Sequence, residues 1–334
     1  MAATGFWRRV APALLLALLA PICAEVLPGA TRFSSLFVFP IEAAVWGGGA
    51  VLIREIVRRR GLGWPSLLLL GMALALAEEF LIQQTSAAPL VIMLKHQVYA
   101  RVGGINYLYL TWALIYEPVM VVLIPVALAE LVFRDRRQAP WLNTAGATVV
   151  TLLFLIGAFL AWFTWTQIAR VQVFRLPPYT PPMTIVAGSV AAIGILIVAA
   201  LRARAPNGQA TPFRAILLAS AGAIWSVALF GVVLMAFGIA PQIAPALPMG
   251  VALLLAALPL ALHRSRPDTP YATAMLILGV LFGSMAISFI GFIGSATADL
   301  VFKIAADAVA LVLLIALVRR YRRERAAPAA SPGL

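Results

Sequence analysis

The stretch "WPSLLLLGMALALAEEFLIQQT", residues 64–85, joins a hydrocarbon-like run to two adjacent carboxylates. The apolar part between Ser66 and Ala77 is too short to cross a bilayer, because about 20 helical residues are needed for about 30 Å of hydrocarbon. A transmembrane helix here has to include Glu78 or Glu79. The stretch therefore predicts a membrane-spanning helix that carries at least one acid inside the membrane.

The composition of the whole chain agrees with this prediction. Hydrophobic residues make up 63% of the 334 residues and charged residues only 11%, with a mean hydropathy of +0.99. A soluble domain of this composition would lack the surface charge to stay in solution, so we expect a protein that uses lipid as its solvent. One cysteine excludes an intramolecular disulfide. The sequence predicts no metal site and no cofactor.

Ten apolar segments are long enough to span the membrane, which predicts an all-α, polytopic helical bundle. The predicted spans are 10–28, 34–53, 64–84, 106–132, 141–163, 182–201, 213–238, 243–262, 272–294 and 298–318. We expect one integral membrane domain over 1–334. Within it, residues 1–139 form four spans with most of the intramembrane acids, 140–320 form six more apolar spans, and 321–334 form a disordered cytoplasmic tail.

The basic residues predict the orientation of the chain. If the N-terminus is cytoplasmic, 19 of the 25 Lys and Arg residues fall in inside segments and five in outside segments, while Lys303 lies within a span. This asymmetry predicts that both termini are cytoplasmic. The net charge of +13 comes from short runs between apolar segments, which indicates topology and gives no nucleic-acid partner. The lipid bilayer is the partner that the composition implies.

The acids of the first four spans are the candidate functional residues. Glu42, Glu78, Glu79 and Glu117 lie in the outer half or near the midplane of their spans, at a rise of about 1.5 Å per residue. Gln83 follows Glu79 at i+4, so the two side chains are predicted to share a face and hydrogen-bond. Such acids are costly in lipid and face the bundle interior. Glu25 is interpreted as an interface anchor.

Helix breakers and one further set of charges complete the pattern. Pro118 follows Glu117 directly and frees a backbone carbonyl one turn back, a feature of many transporter sites at the midplane. On the last span, Asp299, Lys303 and Asp307 are spaced i, i+4 and i+8, which predicts a self-neutralising stripe.

Two family resemblances follow from short motifs. Residues 47–85 contain "LIRE", "GWPS" and "EE" in this order, and "GINYLYL" follows at 104–110. In this the chain resembles a group of uncharacterised bacterial multi-pass membrane proteins, which implies a bacterial cytoplasmic (inner) membrane and brings no activity. "EEFLIQ" at 78–83 is also faintly similar to the Glu-Glu-x-x-x-Arg motif of the CAAX-protease and bacteriocin-processing family. That resemblance implies glutamates that activate water, but Gln83 stands where the family has arginine and its histidine motifs do not follow.

Three functions remain open at this point. The first is a proton- or cation-linked transporter or permease of a small molecule, with an acidic cavity on the outer side lined by Glu42, Glu78, Glu79 and Glu117. The second is a glutamate-dependent intramembrane enzyme in which Glu117 joins Glu78 and Glu79. The third is a non-catalytic scaffold with scattered polar contacts between helices. Whether the acids converge separates the first two from the third. No catalytic residue is assigned.

Overall fold

The computed structural model describes residues 2–89, 99–203, 214–264 and 269–326. Almost all of these residues are helical. The α-helices are α1 (Ala2–Pro21), α2 (Phe39–Glu42), α3 (Gly48–Arg59), α4 (Trp64–Ala77), α5 (Tyr107–Glu117), α6 (Ile124–Val132), α7 (Thr144–Trp162), α8 (Met183–Arg202), α9 (Ala215–Ala236), α10 (Ala246–Arg264), α11 (Pro270–Ser288) and α12 (Thr297–Ala326).

Each of the ten predicted spans coincides with an apolar helical segment. In the described ranges, eight of these segments are long and apolar enough to cross a membrane, and two, Val10–Val26 and Ala246–Pro259, are shorter apolar helices. The prediction of an all-α, multi-pass membrane bundle is confirmed.

The π-helical segments are the unusual feature of the fold. In a π-turn the backbone N–H bonds to the carbonyl five residues back, which widens the helix locally and is frequent at functional sites. The five π-segments are Ile22–Val26, Ala43–Gly47, Glu78–Ile82, Pro118–Leu123 and Phe163–Val173. Pro118 explains one of them, because a residue without an N–H interrupts the α-helical ladder. Four of the five lie in the first four spans.

The first four spans also form the centre of the bundle. Most residues of Trp64–Ile82 and Tyr107–Val132 are buried, whereas few residues of Thr144–Val173 and Met183–Arg202 are. Large apolar side chains of α7, such as Leu155 and Phe159, are exposed where lipid would cover them. The helices that carry the acids are therefore shielded by the more apolar helices that follow them in the chain.

Helices α9 and α11 pack closely because glycine allows their backbones to approach. A Cβ atom at Gly279 would lie 2.0 Å from the carbonyl oxygen of Ala219, and one at Gly283 would lie 2.5 Å from that of Ala223. Small residues at four-residue spacing are the usual means by which membrane helices come into contact.

Two segments between predicted spans contain structure that the spans did not include. Part of the segment between the third and fourth spans is a short hairpin, Arg101–Val102 paired antiparallel with Ile105–Asn106. It turns through Gly103 and Gly104, both at positive φ, which a tight hairpin turn requires. Residues 90–98 of the same loop lie outside the described ranges. The helix predicted to end at 163 continues as a π-segment to Val173.

The C-terminal helix also extends beyond its predicted end. Helix α12 runs to Ala326, six residues into the segment predicted as a disordered tail. Tertiary contacts explain the extension, because the Tyr321 hydroxyl donates to the Leu131 carbonyl at 2.6 Å and Arg134 pairs with Glu324 at 3.0 Å. Residues 327–334 lie outside the described part of the chain.

Candidate functional site

The candidate site is a cluster of acids at four helix breaks. Glu25 lies inside the first π-segment, and Glu42 ends α2 immediately before the second. Glu78 and Glu79 open the third π-segment, and Glu117 ends α5 immediately before the fourth. We define these five residues as the acid cluster. Each acid therefore stands where an α-helix widens, so that local backbone geometry and side-chain chemistry change together.

The Glu79–Glu117 contact lies at the centre of the acid cluster. The Glu79 and Glu117 side chains lie close enough for a hydrogen bond between their carboxyl groups. Such a bond needs a proton on one of the two groups, because an ionised carboxylate only accepts. Glu79 also accepts from the Ser86 hydroxyl at 2.5 Å, and the second oxygen of Glu117 is buried without a partner. The pair can therefore hold one proton in common and has room for one more interaction.

Glu78 is the least satisfied acid of the acid cluster. Its side chain is only 2% exposed, and neither carboxyl oxygen has a hydrogen-bond partner among the described residues. Glu78 interacts electrostatically with Glu79, Glu117 and Glu25. An unpartnered buried carboxyl group costs free energy. A proton on Glu78, or a cationic group bound beside it, would lower that cost.

Glu42 and Glu25 form the other side of the acid cluster. Glu42 is buried and accepts a hydrogen bond from the Thr31 hydroxyl, while its second oxygen has no partner. Glu25 interacts electrostatically with both Glu42 and Glu78. Glu25 is half-buried and also lies near the other acids, which the interpretation as an interface anchor did not include. It lies within a π-turn, which hydropathy alone does not register.

Aromatic side chains line the same helices. The rings of Trp112 and Tyr116 stack at 4.5 Å between centroids, and Tyr109 lies 5.4 Å from Trp112. Tyr116 donates to the Ala24 carbonyl at 2.7 Å, next to Glu25. Tyr109 interacts electrostatically with three of the acids, Glu79, Glu117 and Glu25. These aromatics hold α5 against the first span and place phenol groups beside the carboxyl groups.

The structure separates Gln83 from Glu79. The predicted shared face assumed an α-helix with neighbours at i+4, whereas this turn is π-helical and ends at Ile82. Glu79 has Ser86 as its partner instead. Gln83 lines a small pocket of about 10 Å³ together with Gln84, Thr166, Arg170 and Tyr179. The predicted Glu79–Gln83 hydrogen bond is wrong, and Gln83 belongs to this pocket.

The three charged residues of the predicted stripe on α12 do not all contact one another. Lys303 pairs with Asp307, and Asp299 has a partner outside α12. Lys303, 1% exposed, is bonded to Asp307 and also donates to the carbonyl oxygens of Leu27 at 2.8 Å and Met285 at 3.3 Å. Asp299 has a different partner, because it accepts from the backbone N–H of Ser34 at 2.8 Å and from its hydroxyl at 3.0 Å. The Asp299–Lys303 pair of the predicted stripe is wrong, and Asp299 ties α12 to the loop after the first span.

Sequence reasoning missed a second cluster of charged residues. It lies in α3 and α6, the helices that follow Glu42 and Glu117 in the chain. Arg54, with 0% exposure, bonds to Glu130 at 3.1 Å and to Glu55 at 3.2 Å. Glu130 also takes two bonds from Arg58, at 2.8 and 2.7 Å. We call these four residues the arginine network. Arg54 and Glu55 lie just beyond the predicted span 34–53, whereas the structure includes them in α3, where both are buried.

The arginine network fixes the loop between α6 and α7. The Arg54 guanidinium donates to the carbonyl oxygens of Ala139 at 2.9 Å and Arg137 at 2.8 Å, and it lies 3.3 Å from the Trp141 ring centroid. Glu55 accepts from the Trp141 backbone N–H at 2.7 Å. Its charged groups are paired within the protein, which indicates a structural role. The signal in the sequence was the "LIRE" motif, because the side chains of an Arg–Glu pair at a helix end can be buried against neighbouring helices.

The geometry also bears on metal binding. In the part of the chain that the structure describes, no three His, Cys, Asp or Glu side chains are placed closely enough to hold a metal ion. The acid cluster is thus arranged around carboxyl–carboxyl and carboxyl–hydroxyl contacts.

The comparison with protein families gives one match. Residues 14–323 match the model of a family described as an uncharacterized membrane protein family. The chain belongs to this family. The match runs from within the first predicted span to beyond the end of the last, whereas the motifs noted in the sequence lie within residues 47–110. No similarity to CAAX proteases is part of this finding, and no curated protein and no solved structure matches the chain.

Proposed function

We propose that this membrane protein is a proton- or cation-linked transporter of a small molecule, with the acid cluster as its coupling site. The observation that carries the proposal is the proximity of the Glu79 and Glu117 carboxyl groups beside Glu78, which has no hydrogen-bond partner among the described residues. A carboxyl pair that shares a proton, next to a third acid with free oxygens, can exchange a proton for a cationic group. Helix breaks at each acid supply the local freedom that such an exchange needs.

The acids have different roles in this proposal. Glu79 and Glu117 hold the shared proton, and Ser86 fixes the orientation of Glu79 by donating to it. Glu78 receives the second proton or the cation, since both of its oxygens lack partners. Glu42, held by Thr31, interacts electrostatically with Glu25 and would pass protons to the other acids.

The orientation is part of the proposal and has its own test. We propose a bacterial cytoplasmic membrane with both termini inside, on the basis of the 19 of 25 basic residues that the inside segments collect. A reporter fused after Arg325 is expected to give a cytoplasmic signal, and one inserted after Arg175 a periplasmic signal. A periplasmic signal from the first fusion would contradict the even number of spans.

The functional test follows the shared proton and the transport separately. Infrared difference spectra of the purified protein are expected to show a protonated carboxyl group at neutral pH that Glu79→Gln or Glu117→Gln removes. In proteoliposomes loaded with a pH-sensitive dye, a panel of amines, sugars and amino acids is screened for a compound that moves together with protons. Glu79→Gln, Glu117→Gln and Glu78→Gln are each expected to reduce this movement to background while the protein remains folded.

The control is Glu324→Gln, which changes a half-exposed carboxylate at the end of α12 and should leave transport unchanged. If Glu79→Gln and Glu78→Gln both transport as the wild type does, the acid cluster is structural and the proposal is wrong. The enzyme alternative uses the same carboxyl groups, with Glu117 as the third acid. Cleavage of membrane-embedded peptides by the wild type, lost in Glu79→Gln, would favour that alternative over transport.

A further inference from the structure

A second site lies away from the acid cluster, in an apolar cavity of about 170 Å³. Five helices wall it, α4, α6, α9, α10 and α11, together with the π-segment Pro118–Leu123. Representative lining residues are Trp64, Ile124, Ala127, Trp225, Leu258 and Ile277. A cavity of about 150 Å³ with walls of this kind stays dry and binds apolar molecules. The cavity is therefore suited to hydrocarbon.

The cavity reaches the surface of the bundle. Trp225 and Ile277 are buried, but Trp64, Leu123 and Leu258 are only half-buried. The Leu255 carbonyl oxygen at its wall already has a hydrogen-bond donor within the protein. Pro259 has no N–H to offer the Leu255 carbonyl, and the indole of Trp225 donates to that carbonyl at 2.8 Å. The wall thus presents hydrocarbon to its occupant without a free carbonyl.

Three arginines lie near helix ends at the same end of the bundle as the cavity, and none of them forms an ion pair with a described residue. Arg60 precedes Trp64 by four residues, is exposed, and makes no ion pair with any described residue. Arg325 lies with its guanidinium 6.0 Å from the ring centroid of Tyr271, two residues before the lining residue Thr273. Arg202 ends α8, where the Ser66 hydroxyl donates to the Ala200 carbonyl at 2.7 Å. An apolar cavity and unpaired cations thus lie at the same end of the bundle.

We propose that this cavity binds one acyl chain of an anionic membrane lipid, whose phosphate contacts Arg60 and Arg325. The occupant is identified by the combination of hydrocarbon walls and unpaired guanidinium groups, since arginine clusters at a membrane surface attract anionic headgroups. A zwitterionic lipid would gain the apolar contact without the charge contact. This site is independent of the acid cluster and of the proposed transport function.

The test uses tryptophan fluorescence in nanodiscs that contain lipids with brominated acyl chains, because bromine quenches a nearby indole. Trp225 is 4% exposed, so bulk lipid does not reach it and only a chain inside the cavity does. We expect brominated phosphatidylglycerol to quench the wild type more than brominated phosphatidylcholine does. This difference should vanish when both tryptophans that line the cavity are replaced, in Trp64→Phe with Trp225→Phe. Trp162, half-buried on α7, reports bulk lipid, and Trp162→Phe should leave the difference unchanged.

Two sets of variants distinguish the contribution of the lipid's acyl chain to binding from that of its headgroup. Ala127→Phe fills the cavity and is expected to weaken phosphatidylglycerol binding about tenfold, the effect of excluding about two buried methylene groups. Ala145→Phe makes the same change at an exposed position of α7 and should have no effect. Arg60→Gln with Arg325→Gln should abolish the preference for phosphatidylglycerol, leaving quenching equal to that by phosphatidylcholine.

The proposal is overturned by any of three results. Trp225 quenched by neither lipid would show that no chain enters the cavity. Equal quenching of the wild type by both lipids would show that the arginines do not select a headgroup. Quenching by a brominated alkane as strong as that by phosphatidylglycerol would identify a site for small lipophilic molecules instead.

Discussion

Replacing Arg54 by alanine is expected to lower the free energy of unfolding by about 3–5 kcal/mol, the usual effect of breaking a buried ion pair. The side chain is fully buried and bonds to Glu130, Glu55 and the carbonyl oxygens of the α6–α7 loop. Its removal leaves those carbonyls without a donor. Denaturant unfolding of the purified protein in detergent micelles measures the loss.

The matched control is Arg59→Ala in the same helix. Arg59 pairs with Glu55 at 3.4 Å but is 40% exposed, and exposed pairs contribute about 0–1 kcal/mol. Arg54→Lys is also expected to be destabilising, because an ammonium group does not reproduce the planar guanidinium fork. Equal unfolding free energies for Arg54→Ala and Arg59→Ala would show that the arginine network is hydrated and that its burial is not what stabilises it.

The second large effect is expected at Lys303. Lys303→Ala removes the partner of the part-buried Asp307 and the donor to the Leu27 carbonyl, and should cost about 3–5 kcal/mol. The double variant Lys303→Ala with Asp307→Ala is expected to be more stable than the single one, because it leaves no unpaired charge. Thermal unfolding in micelles of one lipid composition gives the comparison.

Two details make this comparison clean. Asp299 is kept in both variants, because it accepts hydrogen bonds from Ser34 and does not pair with Lys303. Arg320→Ala breaks an exposed pair with Glu324 at the same i, i+4 spacing and should cost about 0–1 kcal/mol. A double variant less stable than Lys303→Ala would mean that the Asp307 side chain stabilises the protein by contacts other than the ion pair.

The architecture could be predicted because hydropathy is a local property. The length of each apolar run and the need to satisfy backbone groups in lipid leave few alternatives to a helix. The depth of Glu78, Glu79 and Glu117 was predictable from the helical rise, and the structure brings these three side chains together.

The fine geometry could not be predicted, because it depends on two kinds of information that are not local. One is helix type: a π-turn at Glu78–Ile82 replaces the i+4 neighbour and separates Gln83 from Glu79. The other is contact over long stretches of chain. Ser34 and Asp299 are 265 residues apart, and no periodicity within α12 identifies that partner. The predicted span ends at residue 53, before Arg54, because charge at a helix end usually indicates a loop.

The contacts between the two ends of the chain have a consequence for biogenesis. Arg32 donates to Ser295 and to the Gly291 carbonyl, Ser34 donates to Asp299, and Lys303 donates to the Leu27 carbonyl. The first helix to leave the ribosome therefore finds these partners only after the last helix has been made. Until then the Leu27 carbonyl and the Ser34 hydroxyl lack the partners that they have in the finished bundle. A chain truncated before residue 295 would lack most of these contacts. We expect membrane proteases to degrade such a chain faster, because its first helices are left without the last one.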